Sequence, residues 1–147
     1  MKFDQYSPTE QLKPYIKYFV VSENDLESEY KVFPSSGLVI GFQYKGRLAE
    51  INDGTINNLT SAGITGITDS YKIFKNSAGT GTILVYFTET GFTHFASSPA
   101  NELFNLSLSL DDIFEKTNVT EVKEKLASAT SDKQRIKITE QFLLAHL

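Results

Sequence analysis

The 147-residue sequence contains no cysteine and no tryptophan, and its only histidines are His94 and His146. Without cysteine the chain can form no disulfide framework, no thiolate metal site and no cysteine nucleophile. Two histidines are too few for a three-histidine metal site built from this chain alone. We therefore predict no metal centre, no cofactor and no catalytic residue, and we expect the protein not to be an enzyme.

Long apolar runs and clusters of basic charge are also missing. The longest fully apolar runs span only a few residues, as at 38–40, so no transmembrane helix is expected. Residues 1–10 are polar and lack the apolar centre of a signal peptide, so we expect a cytoplasmic protein without a membrane partner. The 14 basic and 18 acidic residues give a net charge of −4, which argues against nucleic-acid binding by this segment alone.

What the sequence does contain changes in character near residue 92. All nine glycines lie at or before Gly91, and most aromatic residues lie in the same part of the chain. Aromatic residues favour strands and glycines favour turns, whereas the Glu, Lys, Leu and Ala that dominate after Asp111 favour helices. We predict an α+β fold in one compact domain, with a β-rich region over 1–97 and a helical region over 98–147.

The first region carries repeated strand and turn signals. Apolar and aromatic segments predict strands at 15–23, 38–44, 47–51, 55–61, 71–76 and 80–87. The Asp53-Gly54 pair predicts a two-residue hairpin turn. Seven or eight short strands at near-regular spacing are typical of an antiparallel β-barrel or a sandwich.

The second region carries helix-start signals. Ser98-Pro99, Ser109, Asn118 and Ser131 predict helices near 99–105, 110–115, 119–128 and 132–146. The last two helices have more apolar residues than one stripe against a barrel requires, and exposed apolar patches usually mark interfaces. We therefore predict a homodimer whose interface includes Val122, Leu126, Ile138, Phe142 and Leu143.

Three short motifs favour structural interpretations. Gly79-Thr80-Gly81 lacks the lysine of a phosphate-binding loop and precedes a strand, so we interpret it as a turn. Asp111 and Asp112 are adjacent and would point about 100° apart on a helix, which favours stabilisation of the helix dipole over paired acid–base chemistry. His94 has no base or orienting group at a motif spacing, so a structural or surface role is favoured.

The aromatic excess in the strands admits two interpretations. Most of these side chains fit a sheet core, but a hollow barrel could also use them to line a small-molecule cavity. Strand alternation places Phe42 and Tyr44 on one face of their strand, and Tyr86 shares a face with Leu84. Whichever face points inward, we name as candidate ligand-binding residues Tyr18, Phe42, Tyr44, Tyr71 and Tyr86.

The segment 12–19 reads Leu-Lys-Pro-Tyr-Ile-Lys-Tyr-Phe. It resembles a recurrent opening segment of the N-terminal sensor domains of AraC-type transcription regulators, with Phe19 at a tryptophan position. The turn and strand at 32–40 and the segments at 83–87 and 91–95 also look similar, although a usual proline is absent around 88–90. The segments at 99–103, 110–114, 135–136 and 140–144 follow in the family order.

This resemblance implies a cupin-like β-barrel followed by helices, in a cytoplasmic regulator that senses an unknown small-molecule effector and dimerises. DNA would be contacted only through a C-terminal helix-turn-helix domain that this chain does not contain, so we expect the chain to be part of a longer protein. Two other functions compete with this one. A free-standing cupin-like binding protein without a DNA partner would end at Leu147, and a metal-dependent cupin enzyme is disfavoured by the scarcity of metal ligands.

Overall fold

A computed structural model describes residues 2–32, 37–66, 69–96 and 107–147 of the chain. In these ranges it has ten β-strands, two α-helices and short 3₁₀ turns at Gly91–His94 and Leu110–Asp112. The strands are β1 Lys2–Tyr6, β2 Ile16–Asn24, β3 Ser28–Val32, β4 Val39–Lys45, β5 Leu48–Asn52, β6 Thr55–Asn58, β7 Ala62–Thr65, β8 Lys72–Asn76, β9 Thr80–Phe87 and β10 Ser107–Ser109. The helices are α1 Lys116–Ser128 and α2 Asp132–Ala145.

The strands form two separate antiparallel sheets. The six-stranded sheet has the order β1-β2-β9-β4-β7-β10, and the four-stranded sheet has the order β3-β8-β5-β6. Within the described residues the sheets do not join into a closed barrel, so the molecule is predominantly an antiparallel β-sandwich followed by two helices. Of the two predicted architectures the sandwich is the one observed, and the expected closed barrel is not.

The predicted strands at 15–23, 38–44, 47–51, 55–61, 71–76 and 80–87 are confirmed within one to three residues at each end. The hairpin turn is also confirmed, because Asp53 and Gly54 have positive φ angles of 48° and 80° between β5 and β6. Four strands were not predicted: β1, β3, β7 and β10. They are short segments of three to five residues, and β1 and β3 are mostly exposed edge strands without an apolar run.

The six-stranded sheet is buried on the face that packs against the helices. Strand alternation sends one set of side chains from β2, β4 and β9 to this face. They meet Val122 and Leu126 of α1 and Phe142 and Leu143 of α2 in one core cluster. The sheet contributes Phe19, Val21, Ile40, Phe42, Ile83, Val85 and Phe87.

The helix predictions have mixed outcomes. Ser131 caps α2 as predicted, because its side-chain oxygen accepts a hydrogen bond from the Gln134 backbone N–H. Asn118 is not a cap, since α1 begins two residues earlier, after Glu115. The predicted helix at 110–115 is a single 3₁₀ turn, and the one at 99–105 lies outside the described residues. No helix in the described part of the chain is long and apolar enough to cross a membrane.

Candidate functional site

The candidate site is a cavity of about 560 Å³ between the two sheets. Its volume is within the range of small-molecule pockets, roughly 300–1,000 Å³. The six-stranded sheet supplies one wall through the face that points away from the helices, and the four-stranded sheet supplies the other. The apolar side chains of the lining include Phe3, Val32, Val39, Leu48, Leu59, Phe74, Leu84 and Leu108.

Two glycines leave part of the cavity wall without side chains. Gly41 in β4 and Gly63 in β7 are directly opposite each other in the sheet register, so both face the same side. Both line the cavity, next to Leu84 of β9, which pairs with Gly41. A Cβ added at Gly41 would lie 3.3 Å from the Leu84 side chain, and one added at Gly63 would lie 3.1 Å from the Leu108 backbone oxygen and from the Thr60 hydroxyl. The two glycines therefore let neighbouring groups of the cavity wall approach the backbone closely.

Aromatic rings form another part of the lining. In the four-stranded sheet Tyr30 and Phe74 are register partners, and their rings make an edge contact with centroids 6.0 Å apart. In the six-stranded sheet Tyr86 lines the cavity, and its ring lies 4.8 Å from that of Tyr18. Burial, and then the nearby Tyr18 hydroxyl, raises the pKa of Tyr86 to about 12. Its hydroxyl is therefore uncharged at neutral pH.

A cluster of polar side chains lies where β8 begins. The Lys72 ammonium is 3.3 Å from a carboxylate oxygen of Glu50, and both side chains are mostly buried. The same ammonium lies 3.5 Å from the Ser107 hydroxyl, which in turn lies 3.5 Å from the hydroxyl of Thr65. This end of the cavity thus combines a compensated ion pair with hydroxyl groups that can donate and accept hydrogen bonds.

At the other end of β8, the side chains of Asn24 and Asn76 form a hydrogen-bond network. The Asn76 side chain donates to the backbone oxygens of Leu26 and Ser77 and accepts from the Ser28 hydroxyl at 2.5 Å. Asn24 donates to the same Ser28 oxygen at 3.0 Å. Because these groups satisfy one another, this end holds β2, β3 and β8 together. No sequence pattern singles out Glu50, Lys72 or the two asparagines, because charged and amide residues in strands form no recognisable motif.

The five predicted ligand-binding residues do not come together in the structure. Tyr86 lines the cavity, and Tyr18 contacts its ring without belonging to the lining. Phe42 is buried on the opposite face of the sheet, where its ring meets Phe142 at 5.9 Å. Tyr71 is 53% exposed, with the Lys31 ammonium 4.9 Å from its ring centre. The register of β4 against β9 separates these groups, because Tyr86 pairs with Val39 and so shares its face.

Tyr44 belongs to a polar cluster that joins α2 to the six-stranded sheet. The Arg135 guanidinium lies 4.3 Å from the Tyr44 ring centre and forms an ion pair with Asp132 at 3.0 Å. Asp132 also accepts a hydrogen bond from the Tyr6 hydroxyl at 2.8 Å and pairs with the Lys2 ammonium at 2.6 Å. Burial alone would raise the pKa of Asp132, but the hydrogen bonds from Lys2 and Tyr6 outweigh it and hold that pKa below its ordinary value.

The predicted dimer-interface residues are mostly internal. Val122, Leu126, Phe142 and Leu143 are buried against the six-stranded sheet. Only Ile138 is partly exposed, beside the shallow groove between the two helices. The sandwich therefore covers the apolar surface of the two helices that the sequence pattern assigns to a dimer interface. The reason is that the six-stranded sheet is wide enough to pack against both helices.

Neither histidine belongs to the cavity lining. The exposed His94 ring stacks on Tyr15 at 4.6 Å. His146 is partly buried against Phe114 and Phe142, although its position near the chain end predicts full exposure. In the described ranges no three His, Asp or Glu residues are grouped so that they could hold a metal ion.

Two antiparallel sheets, a cavity between them and a helix pair on one outer face define a β-sandwich domain with a helical layer. Residues 4–109 match the family described as Domain of unknown function (DUF6597). The chain belongs to this family. The matched segment extends from within β1 to the end of β10, so it contains the described cavity lining except Phe3, while α1 and α2 follow it. No curated protein matches the chain.

Proposed function

We propose that this chain is the cupin-like sensor and dimerisation domain of an AraC-type transcription regulator. It binds a small-molecule effector and biases a C-terminal helix-turn-helix domain that contacts DNA. The order of the sequence segments that resemble such sensor domains supports this function. The observation that carries it is the largely apolar cavity of about 560 Å³ between the sheets.

The position of the cavity supports a route from ligand to helices. Gly41 lines the cavity, and the next residue, Phe42, points to the opposite face and packs on Phe142 of α2. A ligand between the sheets would therefore lie one sheet thickness from the helix layer. If it binds two arrangements of this layer with different affinity, it shifts their populations and transmits a signal.

Dimerisation is the second part of the proposal. Four of the five predicted interface residues are internal, and Ile138 is partly exposed, as are Ile136 and Leu144 of the same helix and the half-exposed Leu147. Light scattering at micromolar concentration is expected to give the mass of two chains, and Ile138→Glu is expected to reduce it to one. Ile56→Glu, on the exposed strand β6, is the control. A wild-type monomer would contradict dimerisation.

Ligand binding can be tested with N-phenyl-1-naphthylamine, an uncharged fluorescent probe of apolar sites. We expect saturable binding of one probe per chain. Leu84→Trp should weaken it because the larger ring projects into the cavity, whereas Ile56→Trp adds the same ring outside the lining and should leave it intact. Excitation above the tryptophan absorption band keeps the new side chains out of the signal. Binding that Leu84→Trp leaves unchanged, or no binding at all, would contradict a sensing role for this cavity.

The connection to DNA is tested separately by the coding sequence beyond Leu147. A reading frame that continues into a helix-turn-helix region supports the regulator. A stop codon directly after Leu147 would contradict the DNA-linked role and leave a free-standing small-molecule-binding protein.

A further inference from the structure

The charges that face the cavity are compensated within the protein. Lys72 is on the same face of β8 as Phe74, which lines the cavity. Its ammonium is paired with Glu50 at 3.3 Å, and both side chains are only 12–14% exposed. The pair therefore adds no net charge to the cavity.

The other charged residue in the described lining, Lys31, directs its side chain elsewhere. Lys31 pairs with Ile73 in the sheet register, one position out of phase with the inward-facing Tyr30 and Phe74. Its ammonium lies 4.9 Å from the ring centre of the exposed Tyr71, on the outer side of the four-stranded sheet. Lys31 therefore belongs to the cavity lining, but its ammonium group points away from the cavity.

The aromatic part of the lining favours a ring compound. The four-stranded sheet presents Tyr30 and Phe74 to the cavity, and the six-stranded sheet presents Tyr86. Ring faces pack favourably against aromatic edges.

From these observations we propose that the cavity binds an uncharged, largely apolar ring compound with one hydroxyl or carbonyl oxygen. This oxygen lies at the Lys72 end, where the Ser107 and Thr65 hydroxyls supply hydrogen-bonding groups. The inference rests on the proposed function, since it names the class of effector for the same cavity. A charged ligand is disfavoured because the Glu50–Lys72 pair is already neutral, and any added charge would be buried without a counter-charge.

The test compares two probes that differ by one charged group. N-Phenyl-1-naphthylamine is neutral, and 8-anilino-1-naphthalenesulfonate has the same rings with an added sulfonate. We expect the wild-type protein to bind the neutral probe at least about tenfold more tightly, because burial of an unpaired anion is costly. In both cases only the binding that Leu84→Trp removes is counted.

A charge-changing variant tests the physical reason. Glu50→Gln removes the negative charge 3.3 Å from the Lys72 ammonium and should increase the affinity for the sulfonate probe about tenfold or more. Glu29→Gln makes the same chemical change on the outward face of β3 and should have no effect. Circular dichroism verifies that both variants fold. The double variant Glu50→Gln with Lys72→Met removes both charges and should restore the preference for the neutral probe.

The outcomes separate this inference from the proposed function. If neither probe binds in a manner sensitive to Leu84→Trp, both the sensing function and the ligand class are wrong. If both probes bind equally well in the cavity, the function stands and the inference of an uncharged ligand is overturned. An unchanged sulfonate affinity in folded Glu50→Gln would likewise overturn the inference. The comparison on the wild-type protein decides the matter even if Glu50→Gln does not fold.

Discussion

Gly91 and Asp132 are each required at their positions, for different physical reasons. Gly91 begins the 3₁₀ turn that follows β9, and a side chain there would overlap the backbone oxygen of Tyr15. Asp132 holds Lys2, Tyr6 and Arg135 around one carboxylate at the start of α2. The first is a steric requirement and the second an electrostatic one, and they respond differently to substitution and to pH.

Gly91→Ala is expected to lower the free energy of unfolding by about 1–3 kcal/mol, because the added methyl group must displace backbone atoms. Urea unfolding followed by circular dichroism measures this. Gly41→Ala is the matched control, since its methyl group would meet side chains rather than backbone, namely Leu84 at 3.3 Å and Thr82 at 4.0 Å. Equal losses in the two variants would contradict the steric explanation.

The lowered pKa of Asp132 predicts an acid-dependent loss of stability. A carboxyl group whose pKa is lower in the folded protein stabilises the fold above its unfolded pKa, and this contribution disappears as pH falls through the folded pKa. Asp132→Asn should therefore be less stable than the wild type at pH 7, and the difference should shrink as pH falls below about 4. Urea unfolding between pH 7 and pH 2 tests this, with Asp111→Asn, an exposed acid, as the control. A difference that does not change with pH would exclude the ionised carboxylate as its cause.

At the scale of elements, the two helices begin in different ways. Ser131 accepts a hydrogen bond at the start of α2, and the Gln134 side chain accepts one from the Thr130 backbone N–H at 2.8 Å. Glu115, at the start of α1, makes no side-chain capping bond. The stability of α1 at this end therefore comes from packing of Val119 and Val122 on the core rather than from a cap.

This difference predicts unequal effects of capping mutations. Ser131→Ala should lower the free energy of unfolding by about 1 kcal/mol, because one backbone N–H of α2 loses its acceptor. Glu115→Ala should change it by less than about 0.5 kcal/mol, as is usual for exposed residues without special contacts. Chemical denaturation of the two variants provides the comparison. A larger loss in Glu115→Ala would show that side-chain capping does not distinguish these helices.

At the scale of the whole molecule, the six-stranded sheet separates two different interiors. On its helix side the core is densely filled, and Ile83 in β9 is fully buried there. On its other side the next residue, Leu84, borders the cavity. Adjacent residues of one strand therefore contribute to different tasks, since one stabilises the fold and the other limits the space for a ligand.

Truncation of these neighbours should show the contrast. Ile83→Ala is expected to lower the free energy of unfolding by about 2–5 kcal/mol, because it opens a void in a packed core. Leu84→Ala should cost distinctly less, since that side chain already faces open space. Urea unfolding measures both. Similar losses would mean that the space between the sheets is packed like the core.

Local sequence patterns are sufficient to predict six of the strands, the Asp53-Gly54 turn and the Ser131 cap. These features depend on local preferences of a few neighbouring residues, such as strand propensity, positive φ at a turn and a side-chain oxygen at a helix start. The short strands β1, β3, β7 and β10 have no strong local signal, and their partners in the sheets define them.

The face of each strand that lines the cavity depends on contacts between distant segments of the chain. Alternation groups Phe42 with Tyr44, but the register of β4 against β7 and β9 is what places Gly41 and Tyr86 on the cavity side and Phe42 under α2. The apolar face that this register turns toward the helices packs on Val122 and Leu143, which the sequence pattern predicts at a dimer interface. Glu50 and Lys72 meet because β5 and β8 are neighbours in the four-stranded sheet. Pairing between distant segments sets these positions, and no local sequence pattern encodes that pairing.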